Sequence, residues 1–464
     1  MNDTICALAT ATGGALGIIR VSGEQSLEIL SHLFSSDVRN ASPNTIHYGH
    51  IKDGTEIVDE VLISVFRSPH SYTGEDSVEI SCHGSRYILN KVIELLLQHG
   101  CRLAEPGEFT KRAYLNGKMD LSQAEAVADL IASTNRTTHH MAMSQLKGHF
   151  SSDLSTLREQ LLRLTTLLEL ELDFSDHEDL EFADRTELLV LTRQIESHIQ
   201  RLADSFHTGN ALKNGIPVAI IGAPNVGKST LLNVLLGEDR AIVSDIQGTT
   251  RDAIEDTINL EGITFRFIDT AGIRHTSDTI EQLGIERSIA AAHRARIIVM
   301  MTEPGVPYPD IDVRDDQTVI RIENKTEQFQ AKYGVGLEAL KHQLVAAVPS
   351  FNDGDIIVTN ARHYDALARA HTALLHVIDG LQMQLSGDLL SEDLRQVLDI
   401  LAEITGVFHI SFVGGSKVST PTNKIRHNIF QAINHRAGKC ASCLRFIFIS
   451  PEFFIIEKSL SINR

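Results

Sequence analysis

Short apolar runs of strand character come first along the chain, and helical spacing follows. Gly17-Ile-Ile-Arg-Val-Ser-Gly23, Glu60-Val-Leu-Ile-Ser-Val-Phe66 and Ser77-Val-Glu-Ile-Ser81 are rich in β-branched residues, and each is expected to be a strand. Arg86 to His99 has apolar residues at helical spacing and stops at Gly100, a suitable C-cap. These elements make residues 1–118 a small mixed α/β domain. From there the period changes. Ser122-Gln-Ala-Glu125 reads as a capping box ahead of Val127, Leu130 and Ile131. Leu154, Leu157, Leu161, Leu164 and Leu168 recur at intervals of three and four, which predicts a long amphipathic helix. Acidic residues from Asp173 to Asp184 form a connection, Leu188 to Phe206 a further helix, and Gly209-Asn-Ala-Leu-Lys-Asn-Gly215 a linker. Helical spacing returns in Ala361 to Leu385 and Leu390 to Leu401. The simplest arrangement is one helical domain in two halves, residues 119–210 and 351–406. A domain at 211–350 would be inserted between them, with its ends close together in space.

The inserted stretch opens on Val218-Ala-Ile-Ile221, a short apolar strand, followed by Gly222-Ala-Pro-Asn-Val-Gly-Lys-Ser229 and then by helical spacing through Leu236. Strand, G-x-x-x-x-G-K-S loop and helix in that order predict a phosphate site. Gly222 and Gly227 permit turns that point N–H groups at phosphate oxygens, and the helix N-terminus adds its positive end. Lys228 reaches the terminal phosphates, and the Ser229 hydroxyl can ligate Mg²⁺.

Composition narrows the class. At 464 residues about three domains are expected, and 42% hydrophobic content fits soluble globular cores. No apolar run is long enough to span a membrane, and the first residues lack a secretory pattern. Five scattered cysteines, an odd number, point to a reducing compartment, so a cytoplasmic protein is expected. The formal charge of -18 makes the chain a poor stand-alone nucleic-acid binder; on RNA, a partner would supply much of the positive surface.

Three further motifs point from a generic phosphate loop to a GTPase. Gly248-Thr-Thr250 lies where a switch threonine completes a Mg²⁺ shell. Phe265-Arg-Phe-Ile-Asp-Thr-Ala-Gly272 is a strand ending in Asp-x-x-Gly, with Asp269 aimed at Mg²⁺ and the Gly272 N–H at the γ-phosphate. Asn324-Lys325 follows the strand-like Thr318-Val-Ile-Arg-Ile322, in the place of a guanine-reading Asn-Lys-x-Asp; as an alternative, it is a polar surface turn. Glu327 stands in place of that Asp, one methylene or about 1.5 Å longer. Gln330-Ala-Lys332 follows almost at once as the candidate loop under the base. After Asp-x-x-Gly comes Ile273 rather than a water-orienting Gln, so hydrolysis needs another device. Asn225 offers an amide oxygen beside the β/γ bridge, suited to a monovalent cation, with the Ser244 and Ile246 carbonyls able to complete its shell.

These motifs, together with Ala9-Thr-Ala-Thr-Gly-Gly-Ala-Leu-Gly-Ile-Ile-Arg-Val-Ser-Gly23, Pro106-Gly-Glu-Phe-Thr110 and Leu115-Asn-Gly-Lys-Met-Asp-Leu-Ser-Gln-Ala-Glu-Ala-Val-Ala-Asp-Leu-Ile131, resemble the tRNA modification GTPase family MnmE, also called TrmE, over roughly residues 3–406. The resemblance implies an α/β plus all-α chain. A P-loop GTPase domain is inserted in a helical domain, after a small α/β domain that binds tetrahydrofolate and dimerises. It implies a cytoplasmic homodimer that acts on tRNA with the FAD-dependent MnmG (GidA), as a heterotetramer or larger complex, without a membrane. The implied reaction adds a carboxymethylaminomethyl or aminomethyl group to C5 of the wobble uridine. The one-carbon unit comes from 5,10-methylene-tetrahydrofolate, with 5-formyl-tetrahydrofolate as the alternative ligand, and GTP hydrolysis requires K⁺ and Mg²⁺.

Carried over by position, the folate contacts are Arg20, Glu79 and Lys118. K⁺ is surrounded by Asn225, Ser244, Ile246 and Thr249, and Mg²⁺ by Ser229 and Thr250. GTP is held by Asn225, Val226, Gly227, Lys228, Ser229 and Thr230; by Ser244, Asp245, Ile246, Gln247, Gly248, Thr249 and Thr250; by Asp269, Thr270, Ala271 and Gly272; and by Asn324, Lys325 and Glu327. Glu281 orients the attacking water through a second water and acts with Lys228 in catalysis.

The likeness stops at Glu403-Ile-Thr-Gly406. The family ends in Cys-x-Gly-Lys, whereas residues 407–464 form a divergent tail. There Gly438-Lys-Cys440 has those letters in another order, and Cys440-Ala-Ser-Cys443 is half a zinc site without a second pair. Phe446-Ile-Phe-Ile449 and Phe453-Phe-Ile-Ile456 read as exposed apolar segments of a changed reading frame. Two rival functions stay open: an RNA- or ribosome-associated GTPase switch without modification chemistry, which would bind no folate, and a tail-damaged nucleotide-binding scaffold.

Overall fold

The computed structural model describes residues 3–173, 185–239, 256–268, 289–349 and 355–406, with side chains omitted at 170–173 and 238–239. Its contacts divide the described chain into two units, residues 3–127 with 405–406, and residues 128–404.

In the first unit the strands are β1 (Thr4–Leu8), β2 (Leu16–Ser22), β3 (Thr45–Asp53), β4 (Glu56–Phe66), β5 (Ser77–His83) and β6 (Cys101–Leu103). They form one sheet in the order β3-β4-β5-β2-β1-β6, antiparallel except for β1 beside β6. Strand period two decides the faces. Ile19, Val21, Ile63, Val65, Val78 and Ile80 point into a core closed by α1 (Ser26–Leu33) and α2 (Arg86–Gln98). The opposite positions, Arg20 and Glu79 among them, are left for chemistry. The three strands and the helix expected from the pattern are all present.

Helix α3 (Glu108–Leu115) is tied down by charge. Arg112, only 1% exposed, donates to the Asp3 carbonyl (2.9 Å) and carboxylate (2.9 Å), to Glu75 (3.2 Å) and to Glu108 (3.2 Å). Arg102 also holds Glu108. Burial raises the Glu108 carboxyl pKa, but the Arg102 and Arg112 bonds outweigh it and hold it below its ordinary value. Arg112→Ala removes a fully buried cation from Asp3, Glu75 and Glu108, of which Asp3 and Glu108 keep Arg102, and is expected to cost about 3 kcal/mol in urea unfolding. A loss below about 1 kcal/mol would mean that the pairs behave as solvated surface bridges.

Helix α4 (Leu121–Ala132) starts two residues earlier than the sequence expectation. Asp120, not Ser122, is the cap: its carboxylate accepts from the Gln123 N–H (2.9 Å), and the Gln123 side-chain oxygen accepts from the Asp120 N–H (2.9 Å). A carboxylate one position before the helix meets the free N–H groups, which Ser122, already inside the helix, cannot do.

The second unit has a helical layer and a sheet. The helices are α5 (Arg136–Leu146), α6 (His149–Asp173) and α7 (Arg185–Asn214). The leucine stripe of α6 is at most 4% exposed and packs on Ile195 and Ile199 of α7. The expected linker from Gly209 to Gly215 is instead helical as far as Asn214. Gly209 is required by packing rather than by flexibility: a Cβ there would lie 2.3 Å from the Val358 carbonyl oxygen. The connection expected at 173–184 falls almost wholly outside the described residues.

The sheet contains β7 (Ile216–Gly222), β8 (Asp256–Leu260), β9 (Ile263–Phe267), β10 (Ile297–Thr302) and β11 (Thr318–Glu323), in the order β11-β10-β7-β9-β8. All neighbours are parallel except β8 and β9. Helices α8 (Lys228–Asp239) and α9 (Leu337–Ala346) pack their apolar sides on it. The chain then re-enters the helical layer beside Gly209, where the Val358 N–H donates to the Ser205 hydroxyl (3.0 Å). It continues as α10 (Ala361–Gln382) and α11 (Gly387–Thr405), and the Phe206 and Tyr364 rings stack at 4.6 Å.

Candidate functional site

β7 is buried on both faces in mid-sheet, so its carboxyl end delivers the loop Gly222–Ser229 to a fixed place at the sheet edge. Asn225 takes φ +62° and Gly227 φ +101°, and α8 begins at Lys228. Gly227 serves twice. It adopts the left-handed backbone, and a Cβ would lie 2.5 Å from the Asn324 amide nitrogen. The Lys228 ammonium folds over the loop and donates to the carbonyls of Gly222 (2.7 Å) and Ala223 (2.9 Å). Both partners are neutral, and burial pushes the Lys228 pKa below its ordinary value. A cation held this way favours an incoming anion.

Asn324, at the end of β11, is only 5% exposed, so it is not a surface turn residue. Its amide donates to the Val226 carbonyl (2.8 Å) and accepts from the Ala331 N–H (3.0 Å). One side chain thus joins the phosphate loop to the 3-10 turn Ala331–Tyr333, which overlaps the stretch Gln330-Ala-Lys332. Lys325 (φ +63°) pairs with Glu303, and Glu327 is exposed beside them. Ser229 and Thr230 lie in the first turn of α8. The remaining nucleotide residues, Ser244 to Thr250, Asp269 to Gly272 and Glu281, lie outside the described residues, as does Ile273. So does the tail with Cys440 and Cys443. Among the described residues no group of three His, Cys, Asp or Glu is placed to hold a metal ion.

A second constellation lies on the open face of the first unit's sheet. Arg20 and Glu79 are cross-strand partners on β2 and β5, and their side chains pair at 2.7 and 2.9 Å. The Arg20 guanidinium lies over the Tyr72 ring (5.4 Å) and the Phe109 ring (5.6 Å). The Tyr72 hydroxyl bonds the Thr110 hydroxyl (2.9 Å), and Lys118 donates to the Pro69 carbonyl (2.9 Å). Arg20 and Lys118 therefore both contact residues 69–72. Sequence reasoning gave Tyr72 and Phe109 no site role, because a lone aromatic in a polar loop or at the start of a helix carries no periodic signal.

The loop, its lysine and the buried Asn324 all bear on one task, the handling of a phosphate chain, and they place the protein with phosphate-loop nucleotide binders. Comparison with known proteins is more specific. Residues 4–118 match the N-terminus of the GTP-binding protein TrmE, and residues 121–411 match the MnmE helical domain. The chain is 52% identical over 444 residues to a tRNA modification GTPase MnmE of Bacteroides fragilis, covering 87% of this chain and 95% of the relative. It is 48% identical over 466 residues to the one of Parabacteroides distasonis, covering 92% and 98%. The Porphyromonas gingivalis protein is 49% identical over 447 residues, covering 87% and 94%. The chain belongs to the MnmE family.

Proposed function

We propose that this chain is a K⁺-dependent GTP hydrolase. With an FAD-dependent partner of the MnmG type, it would add a carboxymethylaminomethyl or aminomethyl group to C5 of the tRNA wobble uridine. The observation that carries the GTPase reading is Asn324, which links the phosphate loop to the turn under a base, so that one nucleotide would be gripped at both ends. Water attacks the γ-phosphorus in line with the bridging oxygen; that P–O bond breaks, GDP leaves with its electron pair, and phosphate forms. Lys228 exchanges its two carbonyl partners for phosphate oxygens. Ser229, with Thr250, would hold Mg²⁺, and Asn225, with Ser244, Ile246 and Thr249, would hold K⁺. Hydroxyl, amide and carbonyl oxygens suit hard cations, and Asn225 is exposed at the loop tip. Those ions would supply positive charge that offsets the charge developing as the P–O bond breaks. Glu281 would orient the water.

The Arg20–Glu79 pair under two aromatic rings supports the folate reading. A carboxylate can accept from the amino and ring N–H edge of a pterin, while the rings cover its face. Ile46, Tyr48 and Leu62 are 67%, 65% and 47% exposed on the outer face of the β3–β4 ribbon, and Tyr48 lies directly opposite Leu62. That apolar surface supports a homodimer formed through this unit. Among the described residues no helix is long and apolar enough to cross a membrane.

The test compares GTP and ATP turnover in K⁺ and Na⁺. GTP in K⁺ is expected to be fastest. Asn225→Ala and Asn225→Gly should both lose K⁺ stimulation, roughly tenfold or more. The glycine variant tolerates φ +62°, so its failure would reflect the lost amide rather than strain. Retained stimulation in both, or equal rates with either nucleotide and cation, would overturn the mechanism.

A further inference from the structure

The parallel strands of the second unit have two edges. The phosphate loop and Asn324 occupy the carboxyl edge. At the amino edge the last turns of α7 and the strand starts enclose an open cleft of about 910 Å³ with mainly polar walls. Four arginines line it, from three parts of the chain. Arg266 is on β9 in register with Pro217 of β7. Arg294 ends the helical segment before β10, and Arg296 follows it, its N–H bonded to the Pro217 carbonyl (2.8 Å). Arg314 precedes β11.

Two carboxylates face them. Asp316 is shared by Arg314 (2.9 Å) and Arg296 (3.7 Å), and Asp204 accepts from the Gln200 amide (2.7 Å). His207 also lines the cleft. The cleft is therefore net positive on a chain whose formal charge is -18. Arg294 is exposed, and none of its hydrogen-bond or ion-pair partners lies among the described residues.

We propose that this cleft is a docking site for the phosphodiester backbone of RNA, away from the nucleotide pocket. The inference rests on the tRNA reading above and assigns it a surface. Guanidinium groups recognise phosphate oxygens bidentately and are weakly hydrated, so four arginines lining one concavity fit a run of phosphates. An apolar small molecule would need apolar walls, which the cleft lacks. A local positive site also answers the objection from overall charge: affinity for RNA follows local counterion release rather than net charge.

The test measures binding of a fluorescein-labelled tRNA transcript to the full chain by anisotropy, as a function of salt. Arg294→Glu is expected to weaken binding about tenfold near 0.1 M salt and to flatten the logarithmic salt slope by roughly 0.7–0.9. Arg294→Glu with Arg296→Glu should weaken it further. Arg163→Glu, on the exposed side of α6, makes the same charge change elsewhere and should leave affinity unchanged. GTP turnover without RNA should be unaffected in Arg294→Glu. Wild-type affinity in the Arg294 variants, or an equal loss in Arg163→Glu, would overturn the cleft and leave the tRNA reading standing. Failure of the wild-type chain to bind tRNA would overturn both.

Discussion

Lys228→Ala is expected to reduce kcat for GTP by about 10²–10³, or roughly 2.7–4 kcal/mol of transition-state stabilisation, with little change in stability. The reasoning begins with what holds the ammonium. Its partners are the carbonyls of Gly222 and Ala223, and Ala223 is exposed, so after truncation water can satisfy that oxygen. Burial lowers the lysine pKa from 10.5, so without nucleotide the folded state carries a charge it would rather hold in water. The sign follows: this penalty is fully present below the folded pKa and is relieved as pH rises toward the ordinary lysine value. A bound triphosphate reverses it, because the anion now stabilises the charged form. Lys228 thus contributes to the complex and its transition state rather than to the apo fold. Arg is not expected to rescue activity. The loop encloses a compact ammonium with two short bonds, and a planar guanidinium has no room for its fork. Steady-state GTP turnover with thermal unfolding in parallel decides the matter. A variant keeping more than about a tenth of wild-type kcat, or one losing several kcal/mol of stability, would contradict this account of the loop.

Much of the fold was legible in the sequence because burial on one face writes a period. The leucines of α6 at intervals of three and four are nearly fully buried, and Ile19, Val21, Val78 and Ile80 alternate as half-buried strands must. What was not legible lacks such a period. β10 (Ile297–Thr302) is buried at every position, and a short continuous apolar run cannot be told from a helix segment by alternation. The end of α7 was misread because glycine argues against a helix locally. At Gly209 the backbone of residue 358 comes too close for any side chain, which is a tertiary requirement. The cap of α4 was misplaced by two residues because Asp120 with Gln123 and Ser122 with Glu125 satisfy the same rule, and sequence alone does not choose between them.

The site divides in the same way. The loop was readable because its chemistry is contiguous: eight successive residues carry turn, charge and hydroxyl. The Arg20–Glu79 pair depends on strand register across 59 positions, and the amino-edge arginines come from three separate stretches. Neither leaves a pattern in one dimension. The acidic total even argued against the cleft, because a sum over the whole chain hides where the positive groups gather.

The second large effect is expected at Asn324, where the sequence left a surface turn open and the structure instead buries the side chain. Asn324→Ala removes a donor from the Val226 carbonyl and an acceptor from the Ala331 N–H, so two backbone groups lose partners at once. Each unsatisfied buried group costs about 1–3 kcal/mol, and the cost falls where the phosphate loop meets the turn at Ala331. Both walls of the pocket should loosen, and KM for GTP should rise roughly 10–100-fold, or about 1.4–2.8 kcal/mol, with a smaller change in kcat. Asn324→Asp separates the two bonds. A carboxylate still accepts from Ala331 but cannot donate to Val226, so it should recover the turn and not the loop. Its KM should lie no lower than that of the alanine variant, because the buried negative charge also faces an incoming anion. Nucleotide affinity from fluorescent GDP titration, set beside urea unfolding, distinguishes the roles. If both variants lose stability while GDP affinity stays at the wild-type level, Asn324 is a structural tie alone, and recognition of the base must rest with Lys325 and Glu327.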